Sequence, residues 1–299
     1  MRVPRVCFVL ALAALAAPAP AFSRSPNPAG NAALRTRLVA FLNRSLGWQG
    51  LTRISVLRLT PLNEQGVRTA VVELVKGSQH ITVTCSITDG GRYVAINGQR
   101  SPLSPDPWRA NRERLQLGQS PVEGSASAPV TIYEFSDLGC PPCEVENRRI
   151  QRLFGAMPRE LRVVFKFYPV AGDHSWDVRA AFAAACVARD QKAEFWSFEQ
   201  AVFDSQTQLT AADVARRLQS FAVAAGTPEK YYNGCIRSAA ARQAVKQSLT
   251  EGIAMRVGST PTLFINGRRI KGAISYNVLR ELVAHEAELA PLYDHADPR

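Results

Sequence analysis

The stretch at residues 130–143, "VTIYEFSDLGCPPC", decides the reading of this chain. Residues 130–135 form an apolar, β-branched run of strand length, and residues from Val145 onward carry helical spacing. Cys140-Pro141-Pro142-Cys143 therefore sits where a buried strand ends and a helix opens. A lone CxxC can be half of a zinc site, but no second CxxC and no suitably spaced histidine pair follows. The strand–CxxC–helix arrangement reads as a redox-active dithiol. Two intervening residues let a disulfide close across one helical turn. The first sulfur lies at the helix N-terminus, where free N–H groups favour a thiolate. Cys140 is thus expected to be the attacking thiol and Cys143, inside the helix, the resolving one. Prolines are tolerated in a first turn, yet each removes a donor from the thiolate. With no His between the cysteines, Cys140 is expected to be acidified only moderately.

The flanking sequence supplies the rest of a mixed sheet. Residues 161–168, "LRVVFKFY", read as a second strand. Residues 177–256 are alanine-rich with apolar 3–4 spacings, a long helical region. "TPTLFINGRRIKG" gives two short strands joined by an Asn266-Gly267 hairpin turn, and 274–289 closes with a helix. The order β-α-β, helices, β-β-α predicts an α/β domain over 129–299 with a helical insertion at about 175–256.

Ahead of it, 32–46 has helical spacing, with Leu34, Leu38, Val39, Phe41 and Leu42 recurring on one side. Residues 67–75 are β-branched. Ile81, Val83, Cys85 and Ile87 alternate with polar neighbours, and 92–96 is another short strand. This predicts a small α+β domain over 22–118. Residues 119–128 read as a flexible linker by composition.

The first residues read as a secretory signal. Arg2 and Arg5 precede an apolar run at 6–17 that is short for a bilayer span. Ala19-Pro20-Ala21 fits a cleavage site, giving a signal peptide over 1–21 and a soluble mature chain in an oxidising space, periplasmic or secreted. Of the 299 residues, 46% are hydrophobic, which excludes collagen-like and disordered classes. The formal charge is +11, concentrated in the N-terminal half. The basic residues are scattered rather than patched, so no nucleic-acid partner is expected.

Four segments carry a family resemblance: the opening stretch, "HSWDVRAAFAAACVARDQKAEFWSFEQAVF", "GSTPTLFINGRRIKG" and the terminal helix. Residues 129–299 resemble the DsbA-like branch of the thioredoxin superfamily, thiol–disulfide oxidoreductases of exported proteins. The resemblance implies that Thr260-Pro261 is the cis-proline loop that docks substrate backbone. It implies that Glu134 moves protons to and from the buried cysteine, with Lys166 as its candidate partner. It implies no organic cofactor, and a membrane redox partner: a quinone-linked reoxidant for an oxidase, or a thiol-donating reductase for an isomerase. "ITDGGRYVAINGQRSPLSPDP" resembles the end of the dimerisation domain of DsbC- and DsbG-like isomerases, which would imply a homodimer. The catalytic half thus favours an oxidase and the N-terminal half points to an isomerase or reductase. A chaperone or assembly factor with secondary redox activity is the reading from another class.

Cys186 and Cys235 both fall in the helical insertion. An oxidising compartment suggests a structural disulfide between them, two separate buried thiols being the alternative. Cys85 shares a face with apolar residues and reads as a core thiol. His174 is read as a cap or surface residue, and His80, His285 and His295 show no ligand spacing. Phe195, Trp196 and Phe198 read as helix packing.

Overall fold

A computed structural model describes residues 28–49, 51, 53–104, 106–170, 176–190 and 194–294. The expected signal segment, His174 and His295 lie outside the described residues. The N-terminal part is α1 (Pro28–Leu46) followed by β1 (Arg53–Leu59), β2 (Arg68–Lys76), β3 (Gln79–Thr88), β4 (Tyr93–Ile96) and β5 (Gln99–Pro102). These strands form an antiparallel meander in chain order. Register pairs Ala70 with Cys85, Val72 with Val83 and Ile87 with Val94, which gathers one apolar face. Leu38, Phe41 and Leu42 of α1 bury against that face. Cys85 is wholly enclosed there, and burial pushes its thiol up to about 11.

Two strands of this sheet are absent from the sequence reading. A bulge between Val56 and Arg58 interrupts the period of β1, so its alternation breaks midway. β5 is Gln-Arg-Ser-Pro and carries no apolar signal. It is placed instead by the turn before it, where Asn97 and Gly98 both take positive φ, 48° and 76°.

The second sheet has the order β10-β9-β7-β8-β6. Its members are β6 (Val122–Glu123), β7 (Val130–Ser136), β8 (Leu161–Phe167), β9 (Thr262–Ile265) and β10 (Arg268–Lys271). β7 and β8 run parallel, while the pairings to β6, β9 and β10 are antiparallel. α2 (Arg109–Arg114) precedes this sheet, α3 (Pro141–Ala156) is the β7–β8 crossover, and α9 (Tyr276–Asp294) closes the chain. Between β8 and β9 lie α4 (Asp177–Asp190), α5 (Glu194–Asp204), α6 (Val214–Ala224), α7 (Glu229–Arg237) and α8 (Ala239–Ala254). The expectation of a flexible linker at 119–128 is corrected in its middle. Val122 and Glu123 pair with Val164 and Val163, and the Phe165 N–H donates to the Pro121 carbonyl at 3.1 Å. A two-residue edge strand is too short to show any period.

Alternation along β7 sends Val130, Ile132, Glu134 and Ser136 to one face, and Tyr133 and Phe135 to the other. The first face packs under Ile150 and Leu153 of α3 and Leu279, Leu282 and Val283 of α9. On the second, Phe135 and Phe264 join Leu115, Tyr168, Met255 and Val257. The insertion builds its own core, into which Phe165, Phe167 and Cys143 also project. The Phe195 ring lies tilted against Phe165, centroids 5.1 Å apart, so the aromatic run on α5 is packing. A disulfide joins Cys186 of α4 to Cys235 of α7.

The two sheets meet through Arg268. Its guanidinium pairs with Glu286 of α9 at 3.0 Å and donates to the Ser45 carbonyl at 2.8 Å and to the Arg44 carbonyl. Those carbonyls end α1, where a cation complements the helix dipole. Asn111 adds a hydrogen bond to the Gly267 carbonyl at 2.8 Å.

Candidate active site

β7 ends at Ser136, and the chain turns through Asp137 before α3. The Asp137 carboxylate accepts from the Gly139 N–H at 2.9 Å and from the Val170 N–H at 2.7 Å. Its carbonyl accepts from the Cys140 N–H at 3.0 Å. This fixes the turn so that Cys140 caps α3 in extended conformation, with Pro141 and Pro142 as the first helical residues. Gln206, just beyond α5, donates to the Leu138 and Cys140 carbonyls at 2.8 and 3.1 Å. The insertion thereby holds the cysteine loop from above.

The two cysteines sit in different surroundings. Cys140 is partly exposed, and its sulfur lies 3.6 Å from the Thr260 carbonyl. Cys143 is buried, with 0% exposure. The Cys143 thiol proton held toward the Cys140 sulfur is the main cause that lowers Cys140 to about 7; partial burial and the nearby Asp137 charge oppose it. Burial drives Cys143 in the opposite direction, far above an ordinary thiol, and the Cys140 charge adds to it. The arrangement therefore holds one nucleophilic sulfur at the surface and one protonated sulfur beneath it. The Thr260–Pro261 peptide bond is cis and faces Cys140 across the cleft.

Glu134 is fully buried six residues before Cys140. Neither carboxyl oxygen closes a hydrogen bond of good geometry. Burial raises it to about 8; the Ser136 hydroxyl counteracts, and the Glu146 and Cys140 charges add to the rise. Lys166 is not its partner, contrary to the sequence expectation. Register places Glu134 beside Phe165 and Phe135 beside Lys166, so the two side chains leave the sheet on opposite faces. Lys166 instead pairs with Glu251 of α8 at 2.7 Å and donates to the Gln116 carbonyl. An adjacent strand position was the right neighbourhood with the wrong parity.

Several groups around the site have no counterpart in the sequence reading. Glu146 accepts from the Ile274 N–H at 2.9 Å and tethers α3 to the segment before α9. Asn147 and Glu199 are buried with orphaned polar atoms. Asp137 was legible as a turn aspartate before glycine. Glu199 directly follows Phe198 and lies four residues, one helical turn, after Phe195, so it shares the apolar side of α5, and that misfit is its signal.

Among the described residues, no group of three or more His, Cys, Asp or Glu side chains is placed to hold a metal ion. Nor is any described helix long and apolar enough to cross a membrane.

Comparison with known proteins agrees with this geometry. The chain is 31% identical over 153 residues to the Na(+)/H(+) antiporter NhaA 1 of Mycolicibacterium vanbaalenii, covering 50% of this chain but only 24% of the antiporter. It is 29% identical over 174 residues to disulfide bond formation protein D of Bacillus subtilis, covering 56% of this chain and 76% of that protein. Among solved structures, the catalytic domain of Proteus mirabilis ScsC superposes with TM-score 0.52 at 19% identity, over 60% of this chain and 96% of that one. BdbD from Bacillus subtilis gives TM-score 0.52 at 23% identity, over 58% and 95%. The thioredoxin family model matches residues 116–285. With more than half its length matched and a dithiol at the head of α3, this chain belongs to the thioredoxin family, in the form whose sheet carries a helical insertion.

Proposed function

We propose that this chain is an extracytoplasmic thiol–disulfide oxidoreductase that acts on cysteines of exported proteins, in the oxidase direction, after removal of residues 1–21. The observation that carries the reading is the split between the cysteines: Cys140 partly exposed and lowered to about 7, Cys143 buried and raised. A client thiolate attacks Cys140 of the Cys140–Cys143 disulfide. That bond breaks, a mixed disulfide forms at Cys140, and Cys143 leaves as a thiolate that takes up a proton. A second client thiolate then attacks the client sulfur of the mixed disulfide. Cys140 leaves, and the client departs with its own disulfide, two electrons having passed to Cys140 and Cys143. In this proposal Thr260 and Pro261 dock the client backbone, and Glu134 supplies the proton to Cys143. A quinone-linked membrane protein reoxidises the pair. The relative named disulfide bond formation protein D supports this direction.

The antiparallel N-terminal unit supports a second reading, a dimeric isomerase or reductase kept reduced by a thiol-donating membrane partner. The third, a chaperone with secondary redox activity, needs neither cysteine.

Equilibration of the pair with glutathione separates these. Reference dithiols run from about −120 mV for DsbA to about −270 mV for thioredoxin. A Cys140 near 7 stabilises the reduced form less than a Cys near 3.5 does, so a value between those ends is expected. A potential at or below the thioredoxin end would overturn the oxidase direction. A Cys140→Ser variant with full activity on clients would leave only the chaperone reading. Light scattering of the purified chain tests the dimer, and a monomer at micromolar concentration removes it.

A further inference from the structure

The buried thiolate left on Cys143 needs a proton, and Glu134 is sealed from solvent at 0% exposure. A single enclosed carboxyl can give its proton once, and must then be refilled. The surroundings of Glu134 contain the parts for refilling. α3 carries Cys143, Asn147 and Gln151 at i, i+4 and i+8, one stripe about 12 Å long on a single helix face. Asn147 is 1% exposed; its amide approaches the Glu199 carboxyl, and neither its N–H group nor its carbonyl closes a hydrogen bond of good geometry. Glu199 of α5, also 1% exposed and with an orphaned carboxyl oxygen, is the carboxyl that the Asn147 amide approaches. Farther along, Glu123 on the edge strand β6 is only half-buried and lies against Gln151. Buried polar atoms are nearly always satisfied, by protein or by ordered water. An enclosed amide that can both donate and accept suits a bridging water.

Resting on the dithiol reading, we propose that Glu199 and Glu123 extend Glu134 into a buried carboxyl relay, which carries protons between solvent at the β6 edge and Cys143. When the client thiolate breaks the Cys140–Cys143 bond, the Cys143 sulfur keeps the bonding pair. The Glu134 carboxyl gives it a proton and is refilled from Glu199 through water on the Asn147 amide. Glu199 is refilled from Glu123 past Gln151, and Glu123 from bulk water. The net change is one proton taken from solvent, and no group in the chain of carboxyls is altered. Reoxidation runs the same path outward.

The electrostatics agree with the geometry. Burial raises Glu199 far above an ordinary carboxyl, with the Glu134 and Glu123 charges adding to it and Asn147 opposing. Glu199 is thus the group that feels both ends. Glu123 is raised by burial and eased by Gln151. Glu146 faces Glu134 from α3, and its cation is Arg149, 3.4 Å away. Lys166 lies beyond the sheet, on the face opposite Glu134. Burial thus shifts all three carboxyls, Glu134, Glu199 and Glu123, toward their protonated forms.

The test uses the full chain and two readouts. Reduced-minus-oxidised infrared difference spectra report protonated carboxyls that respond to the dithiol. Stopped-flow reduction of the oxidised pair by a cysteine peptide, followed against pH, reports the proton delivery. Glu199→Gln is expected to delete one carboxylic C=O component. It is also expected to slow the reaction roughly tenfold below pH 8, less than the about 10²–10⁴-fold effect of a direct acid–base group. If Glu199→Gln changes neither readout, the relay is overturned and Glu199 is a packing residue. Should Glu199→Gln fail to fold, Glu123→Gln at the half-buried end is read in the same way, and unchanged kinetics and spectra overturn the relay. Cys140→Ser separates the two levels. If it still turns over clients, the dithiol reading itself falls. If it is dead while Glu199→Gln behaves as wild type, only the relay does.

Discussion

Glu134 is a carboxyl in a place that disfavours its charge. Its folded value of about 8 stands against an ordinary 4.5, and burial is the principal cause. Between those two pH values the folded chain binds a proton that the unfolded chain has released. The stabilisation from this proton is therefore complete below pH 4.5 and is lost as pH rises through about 8. Glu134→Gln removes the titration. Its unfolding free energy is expected to vary less over pH 4 to 9 than that of wild type, by on the order of a few kcal/mol. Urea unfolding at a series of pH values measures the difference, and parallel curves would contradict it. On the proposed role of Glu134 as proton donor, the same substitution is expected to slow exchange at Cys143, which stopped-flow reduction by a cysteine peptide measures. Iodoacetamide alkylation of the reduced chain tests its neighbour. Cys140 should react about tenfold faster per pH unit up to about 7 and level off above it.

At the level of elements, the insertion is held by more than its helices. The Cys186–Cys235 disulfide closes a loop of 49 residues. Replacing both cysteines by alanine is expected to lower stability by roughly 3–4 kcal/mol, read from thermal unfolding. Gly252 in α8 gives a sharper case. Glycine weakens a helix, so Gly252→Ala improves local propensity by about 1 kcal/mol. Yet an added Cβ would lie 2.3 Å from the Tyr168 ring and 3.1 Å from Phe135. Tyr168 cannot swing away freely, because its hydroxyl donates to the Val257 carbonyl at 2.9 Å. Gly252→Ala is therefore expected to destabilise by about 1–3 kcal/mol, packing outweighing propensity. A higher melting temperature would show the ring can yield. These cases also mark what a sequence can show. The Cys140–Cys143 motif, the Asn266-Gly267 hairpin and the α1 stripe are local patterns, and each is visible in a few residues. The bulged β1, the two-residue β6 and the parity of Lys166 depend on which strand lies alongside, and no local period records that. Glu199 belongs to the same class, since its meaning comes from α3 and β7.

Across the whole molecule, the N-terminal sheet and the catalytic sheet are joined at one crowded seam. Arg268 reaches the end of α1, Glu286 and the Trp108 ring together. Gly47 lies directly after α1, and a Cβ there would meet the His285 ring at 2.8 Å. Arg268→Met removes the cation from a buried carboxylate and from two helix-end carbonyls. A loss of about 3–5 kcal/mol is expected. Limited proteolysis should then cut between the sheets, near 103–118, sooner than it cuts either sheet. If the variant resists protease as wild type does, the seam is held by other contacts. Arg268 and Arg44 stand 224 residues apart along the chain. The meander of β1 to β5 uses only neighbouring strands, so a ribosome emitting this chain releases a first unit able to fold at once. That unit must then wait for Arg268 until only about the last tenth of the protein remains to be made.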